Sequence, residues 1–127
     1  MREAARLTLA LLAGFALGAG AIQGLHAQAG KKPGYVVAEV EIIDPPAFQA
    51  YAAKAAATVK AAGGRYLIRG KAIAKEGAPV EGNLVVLAFP SLAAAENWYD
   101  GPAYKPLIVE REKAAKTRLF IVEGLAP

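Results

Sequence analysis

The sequence predicts an α+β domain of the ferredoxin-like class, with two helices on one face of a four-stranded antiparallel sheet. Short runs rich in β-branched residues alternate with stretches whose apolar residues recur at helical spacing, in the order β-α-β-β-α-β. Glycine and proline stand at the junctions between these segments. The chain of 127 residues has room for one domain.

The first half of this order begins with a strand over residues 35–43 (YVVAEVEII), which is too short for a typical helix. Asp44 then caps a helix that has proline in its first turn. Paired glycines end this helix at residue 63, because glycine adopts the left-handed conformation at low cost. Residues 65–69 (RYLIR) form the second strand, and residues 70–82 form an exposed connection.

The second half begins with a strand over residues 83–89 (NLVVLAF). Ser91 caps the second helix, which the residues 100–102 (DGP) break. Another helical stretch is predicted over residues 103–116, and the last strand covers residues 117–123 (TRLFIVE).

The strands over residues 83–89 and 117–123 are apolar on both faces. Helices cover only one face of the sheet in this topology, so the other face carries a large apolar patch, which soluble monomers seldom tolerate. We therefore expect a homodimer that packs sheet against sheet.

The N-terminus reads as a secretory signal peptide over residues 1–29. A basic start precedes an uncharged run over residues 7–25, and a small-x-small cleavage site ends at Ala29. Cleavage there leaves residues 30–34 as a linker and residues 35–125 as the ferredoxin-like domain, located in a bacterial periplasm or secreted. The alternative is an uncleaved leader that anchors the domain to the membrane, since the uncharged run is long enough to span a bilayer.

Composition excludes several classes of function. The formal net charge of +4 is too small to predict nucleic-acid binding. Cysteine is absent, and the single histidine, His26, lies in the leader. The cleaved domain would therefore have neither a thiol nor an imidazole for nucleophilic catalysis, zinc or haem ligation. We expect no metal site and no cofactor.

A family resemblance rests on several short motifs. They are YVVAE at 35–39, GGRYLIRG at 63–70, WY at 98–99, PAY at 102–104 and RLF at 118–120. The match that they mark extends over nearly the whole of residues 33–125, which resemble the domain-of-unknown-function family 1330. The resemblance implies a dimeric α/β-barrel made of two ferredoxin-like protomers, and it implies no established substrate. Related dimeric-barrel families include monooxygenases, isomerases and dehalogenases, but a shared fold carries little weight for function.

Charged side chains on the strands are the first candidates for chemistry. Glu39 lies on a strand expected to be central, where it would serve as a general acid or base, would pair with Arg118 or Arg65 at the dimer interface, or would stay solvated. Arg65 and Arg69 are four residues apart, so we expect both to leave the sheet on one side. There they would clamp an oxyanion or protect an exposed edge strand.

Aromatic side chains near the break at residues 100–102 are the second group of candidates. The aromatic residues Tyr51, Trp98, Tyr99 and Tyr104 would wall a pocket between helix and sheet, with the nearby Arg111 as its polar group, or would simply form core. The first functional hypothesis is an exported dimer that binds a small organic molecule, and on one version also transforms it, in a pocket lined by Glu39, Tyr51, Arg65, Trp98, Tyr104 and Arg111. The alternative is a non-catalytic homodimeric binding or assembly module of the periplasm.

Overall fold

A computed structural model describes residues 31–127 and confirms the predicted fold class. The strands are β1 (Gly34–Ile42), β2 (Arg65–Gly70), β3 (Asn83–Phe89) and β4 (Ala115–Glu123), and the helices are α1 (Pro45–Ala61), α2 (Leu92–Asp100) and α3 (Lys105–Ala114). The predicted signal peptide, its cleavage site at Ala29 and the single histidine lie outside the described residues. Among residues 31–127, no helix has both the length and the hydrophobicity needed to cross a bilayer.

The four strands form one antiparallel sheet in the order β2-β3-β1-β4. β1 is central, as predicted, and hydrogen-bonds to β3 on one side and β4 on the other. Side chains alternate between the two faces of each strand. Val36, Ala38 and Val40 of β1 are buried on the inner face, which the helices cover.

Side-chain caps place the starts of α1 and α2 as the sequence predicts. Asp44 accepts a hydrogen bond from the backbone N–H of Ala47 at 3.2 Å, and the Ser91 hydroxyl accepts one from Ala94 at 3.0 Å. The buried side chains of α1, namely Tyr51, Ala55 and Val59, follow helical spacing and pack towards the sheet.

The helical stretch predicted over residues 103–116 is too long at both ends. α3 stops at Ala114, because Ala115 and Lys116 already pair with β1 as part of β4. The carbonyl of Ala114 also accepts hydrogen bonds from the N–H groups of Ile43 at 2.8 Å and Asp44 at 3.0 Å. Pairing with the sheet therefore overrides the local preference for helix at this junction.

No described helix covers the other face of the sheet, which we call the outer face. It presents Tyr35 and Val37 of the central strand β1, with Val122 and Phe120 opposite them on the edge strand β4. Phe120 is 52% exposed and Val122 is 49% exposed. The outer face is thus apolar over a broad area, as the sequence pattern predicts.

Gly82, at the entry to β3, has φ +77° and lies against the backbone of β1. A Cβ at this position would collide with Val40 and Glu41, so Gly82→Ala should lower the free energy of unfolding by about 3 kcal/mol, from backbone strain and the clash together. Gly77 is the matched control, because it has φ +80° but open space around it. Gly77→Ala should cost only about 1 kcal/mol. Urea denaturation measures both; equal losses would contradict the close approach of Gly82 to β1.

Candidate functional site

A cavity of about 150 Å³ lies between the inner face of the sheet and the helices. The inner faces of β1, β3 and β4, together with α1, supply apolar walls. Polar or aromatic groups also reach it from α1, β2, α2, α3 and the turn before α3. They include Tyr51, Tyr66, Arg69, Trp98, Tyr104 and Arg111. Five of the residues singled out from the sequence therefore line one cavity: Tyr51, Arg69, Trp98, Tyr104 and Arg111.

A buried hydrogen-bonded chain joins α1 to α3 at this cavity. The hydroxyl oxygens of Tyr51 and Tyr104 lie 2.5 Å apart, and Arg111 Nη1 donates to the Tyr104 hydroxyl at 2.8 Å. Tyr104 precedes α3, and Arg111 follows it by seven residues, which is two helical turns and returns the side chain to the same face. Tyr104 is 1% exposed and Arg111 is 7% exposed. The helices thus hold a cation and two phenols against the cavity.

Burial largely determines which groups of this hydrogen-bonded chain are charged. Burial raises the pKa of Tyr51 well above its usual range, and the neighbouring Tyr104 adds to the effect while Arg111 opposes it. Burial alone would lower the pKa of Arg111, but Tyr104 and Tyr51 outweigh it and the pKa is raised. At neutral pH Tyr51 is therefore a neutral phenol and Arg111 a full cation.

Trp98 forms both cavity wall and core. Its ring centroid is 4.1 Å from that of Tyr104 and 5.2 Å from that of Phe89. Its Nε1 donates to the Thr58 hydroxyl at 3.0 Å, which satisfies the indole N–H. This packing fixes the orientation of the Trp98 ring beside Tyr104.

The expectation that Arg65 and Arg69 share a side of the sheet is wrong. The pairing of β2 with β3 shifts by one residue between Tyr66 and Ile68, which is a β-bulge. Arg65 pairs with Ala88 on the outer face, whereas Arg69 lines the cavity and places its guanidinium 4.6 Å from the ring centroid of Tyr66. Arg65, a candidate ligand-binding residue, is therefore not part of the cavity, and Arg69 is.

Glu39, the candidate acid or base, also lies outside the cavity. It alternates with the inner residues of β1, so it reaches the outer face, opposite Arg118 of β4. Its Oε2 is 3.4 Å from Arg118 Nη1. Of the two interpretations of Glu39, the contacts fit the ion pair and not the general acid or base in a pocket.

Asn83 and Thr117 also line the cavity but were not singled out from the sequence. Both pair with Val40 of β1, from opposite sides. Strand parity would have found them, because Thr117 shares a face with Leu119, and Asn83 shares one with Val85. Within residues 31–127, no group of three or more His, Cys, Asp or Glu side chains is arranged to hold a metal ion.

Comparison with known proteins places the chain in a family. Residues 33–125 match the family described as "Domain of unknown function (DUF1330)". The chain belongs to the DUF1330 family. This confirms the resemblance carried by the motifs at residues 35–39 and 63–70. No curated protein matches the sequence significantly.

Solved structures show the same fold as this DUF1330 domain. One is a protein of unknown function from Rhodopseudomonas palustris, which is 21% identical over 82% of this chain and 94% of that chain, with a TM-score of 0.58. Another is SnoaB, described as a cofactor-independent oxygenase from Streptomyces nogalater. It is 12% identical over 76% of this chain and 96% of its own, with a TM-score of 0.52. At these identities the likeness concerns the fold.

Tyr104 is the central member of the buried chain, so Tyr104→Phe should destabilise the domain more than Tyr51→Phe. The first change leaves both Arg111 Nη1 and the Tyr51 hydroxyl without their partner, and the loss should be about 2–3 kcal/mol. Tyr51→Phe leaves the bond between Tyr104 and Arg111 in place and should cost about 1 kcal/mol. Thermal and urea unfolding measure both variants. Equal losses of stability in the two variants would mean that the hydrogen bond from Arg111 to Tyr104 contributes nothing to the free energy of unfolding.

Proposed function

We propose that this DUF1330 domain binds a small organic molecule in the cavity between its helices and its sheet. The observation that carries the proposal is the composition of the cavity, whose walls are largely apolar while the buried Arg111 and Tyr104 bring polar groups to it. Small-molecule sites commonly combine apolar walls with a few well-placed polar groups.

The volume of the cavity bounds the ligand. An apolar cavity of about 150 Å³ admits a molecule the size of benzene, and the cavity here has that volume. The aromatic side chains that line it, among them Tyr66 and Trp98, favour a flat ligand over a branched one.

A reaction at this site would depend on phenol and guanidinium groups. Among the described residues no carboxylate lines the cavity, so a hydroxyl would have to exchange the proton. Tyr51 and Tyr104 are the hydroxyls hydrogen-bonded in the chain that ends at Arg111, which would stabilise developing negative charge. The shared fold with SnoaB supports turnover of an organic ligand as an extension of the binding function. Catalysis is the second part of the proposal and binding the first.

The proposal places the domain outside the cytoplasm as a homodimer. Export is supported by the three-part pattern of residues 1–29, which ends at Ala29. Dimerisation is supported by the apolar outer face, where Phe120 and Val122 are half exposed. Contact between two such faces would bury them and would also enclose the ion pair of Glu39 with Arg118.

The same outer face favours a second candidate function, a non-catalytic assembly module. In that case the sheet carries the function, and the aromatic and guanidinium groups inside serve only as core. The two functions differ in whether the cavity is occupied in the protein from its native compartment.

Native mass spectrometry of the protein purified from its own host tests three things together: whether a ligand is bound, whether the leader is cleaved, and whether the protein is a dimer. We expect a dimer whose subunits begin at Gly30 and carry a bound organic molecule that departs on collisional activation. A dimer without ligand after gentle isolation would favour the assembly module. Subunits that keep residues 1–29 in the membrane fraction would contradict cleavage and support an anchored leader.

Val122→Glu tests association through the outer face. A carboxylate at this site would have to be buried without a partner in the dimer, so we expect a monomer at micromolar concentration. Val109→Glu is the matched control, because Val109 is 57% exposed on α3, away from the sheet. Analytical ultracentrifugation should show the dimer for the wild type and Val109→Glu only. A wild-type monomer, or an equal effect of both changes, would overturn the proposed interface.

A further inference from the structure

Building on the proposed binding function, we infer that the ligand is an aromatic carboxylate about one ring in size. Three features of the cavity lead to this class of ligand: an uncompensated buried cation, two buried polar atoms without partners, and a second guanidinium in a lining that has no acid. All three belong to the same cavity.

Arg111 is a buried cation without an anion. None of the three ion pairs in the described part of the chain includes it. Its hydrogen-bond partner is the Tyr104 hydroxyl, and Tyr51 behind that hydroxyl remains a neutral phenol. Buried charges in proteins are normally paired or hydrogen-bonded, because an unpaired charge is costly to desolvate. An anionic ligand would supply the missing counter-charge.

Two polar atoms at the cavity lack partners. Three buried side-chain atoms of the described residues have no hydrogen bond: Arg111 Nε, Thr117 Oγ1 and Glu110 Oε2. Of these three residues, Arg111 and Thr117 line the cavity and Glu110 does not. Such orphaned atoms are uncommon in folded proteins and are costly unless a ligand or water satisfies them. A guanidinium N–H and a hydroxyl are both donors, and a carboxylate accepts from both.

Arg69 adds a second positive charge where β2 meets the cavity. Within residues 31–127, the lining contains two guanidinium groups, Arg69 and Arg111, and no aspartate or glutamate. Arg69 is exposed whereas Arg111 is buried, so the cation at the rim would attract an anion that the inner cation then binds. The bulge in β2 is what places Arg69 here.

The remainder of the lining selects the body of the ligand. Its apolar walls would reject a small hydrated anion, since they cannot replace the lost hydration. Tyr66, Trp98 and Phe48 offer ring faces and edges to a flat apolar group. The charge pattern therefore predicts the carboxylate, and the walls predict the ring to which it is attached.

Isothermal titration of the exported protein with three probes tests the class. Benzoate carries ring and charge, benzamide has the same shape without charge, and acetate has the charge without the ring. At neutral pH and constant salt, we expect benzoate to bind at least tenfold more tightly than either of the others.

Equal binding of benzoate and benzamide would overturn the carboxylate and leave small-molecule binding intact. If acetate bound as tightly as benzoate, the cavity would be a general anion site, and the requirement for an aromatic ring would be overturned. Binding of none of the three would overturn the ligand class, and native mass spectrometry then judges the binding function by itself.

Variants that should still fold connect this preference to named residues. Thr117→Val keeps the shape of the side chain and removes the unpartnered hydroxyl, so it should weaken benzoate several-fold. It should weaken benzamide less, because a hydroxyl bonds a neutral amide oxygen less strongly than a carboxylate oxygen. Arg69→Gln should weaken benzoate several-fold, with an effect that shrinks as salt rises. Arg65→Gln is the matched control, because it removes a guanidinium from the same strand on the outer face. Equal effects of the two arginine changes, or none from Thr117→Val, would overturn the assigned contacts.

Discussion

The double pairing of β1 is the constraint on which the other parts of the domain depend. β3 and β4 both hydrogen-bond to it, so its alternating side chains lie at the middle of both the inner and the outer face of the sheet. Its inner side chains are short, with Ala38 between Val36 and Val40, and the helices cannot close fully onto them. The cavity occupies the space that remains. The end of β1 also ties down α3 through Ile43 and Asp44, and this fixes the helix that carries Arg111.

Arg111 is the residue at which stability and the proposed binding function oppose each other. A buried guanidinium held by a phenol, with its Nε unpartnered, stabilises the apo domain less than an apolar side chain of similar volume would. Tyr104 and Tyr51 offset part of this penalty, because they solvate the charge within the protein. Residues that weaken a fold in this way are typical of binding sites.

The sheet separates two kinds of chemistry by strand parity. Inner positions such as Thr117 and Arg69 turn towards the cavity, while outer positions such as Glu39 and Phe120 turn towards the proposed dimer contact. Because one β-strand supplies residues to both faces, a change of register by one residue exchanges their roles. The bulge in β2 makes this exchange once, between Tyr66 and Ile68.

The amino-acid sequence by itself determined the fold class, the caps at Asp44 and Ser91, the apolar outer face and the approach of Tyr51, Trp98, Tyr104 and Arg111 to one pocket. These follow from local preferences and from periodicity, which are written into consecutive residues. Only the tertiary structure decided which arginine of β2 reaches the cavity, since a bulge depends on the partner strand and leaves no mark on the alternation of RYLIR. The tertiary structure also decided the contact of Glu39, because its partner Arg118 belongs to a strand far along the chain. It likewise decided that Ala115 belongs to β4 and not to the preceding helix, because Ala115 pairs with β1.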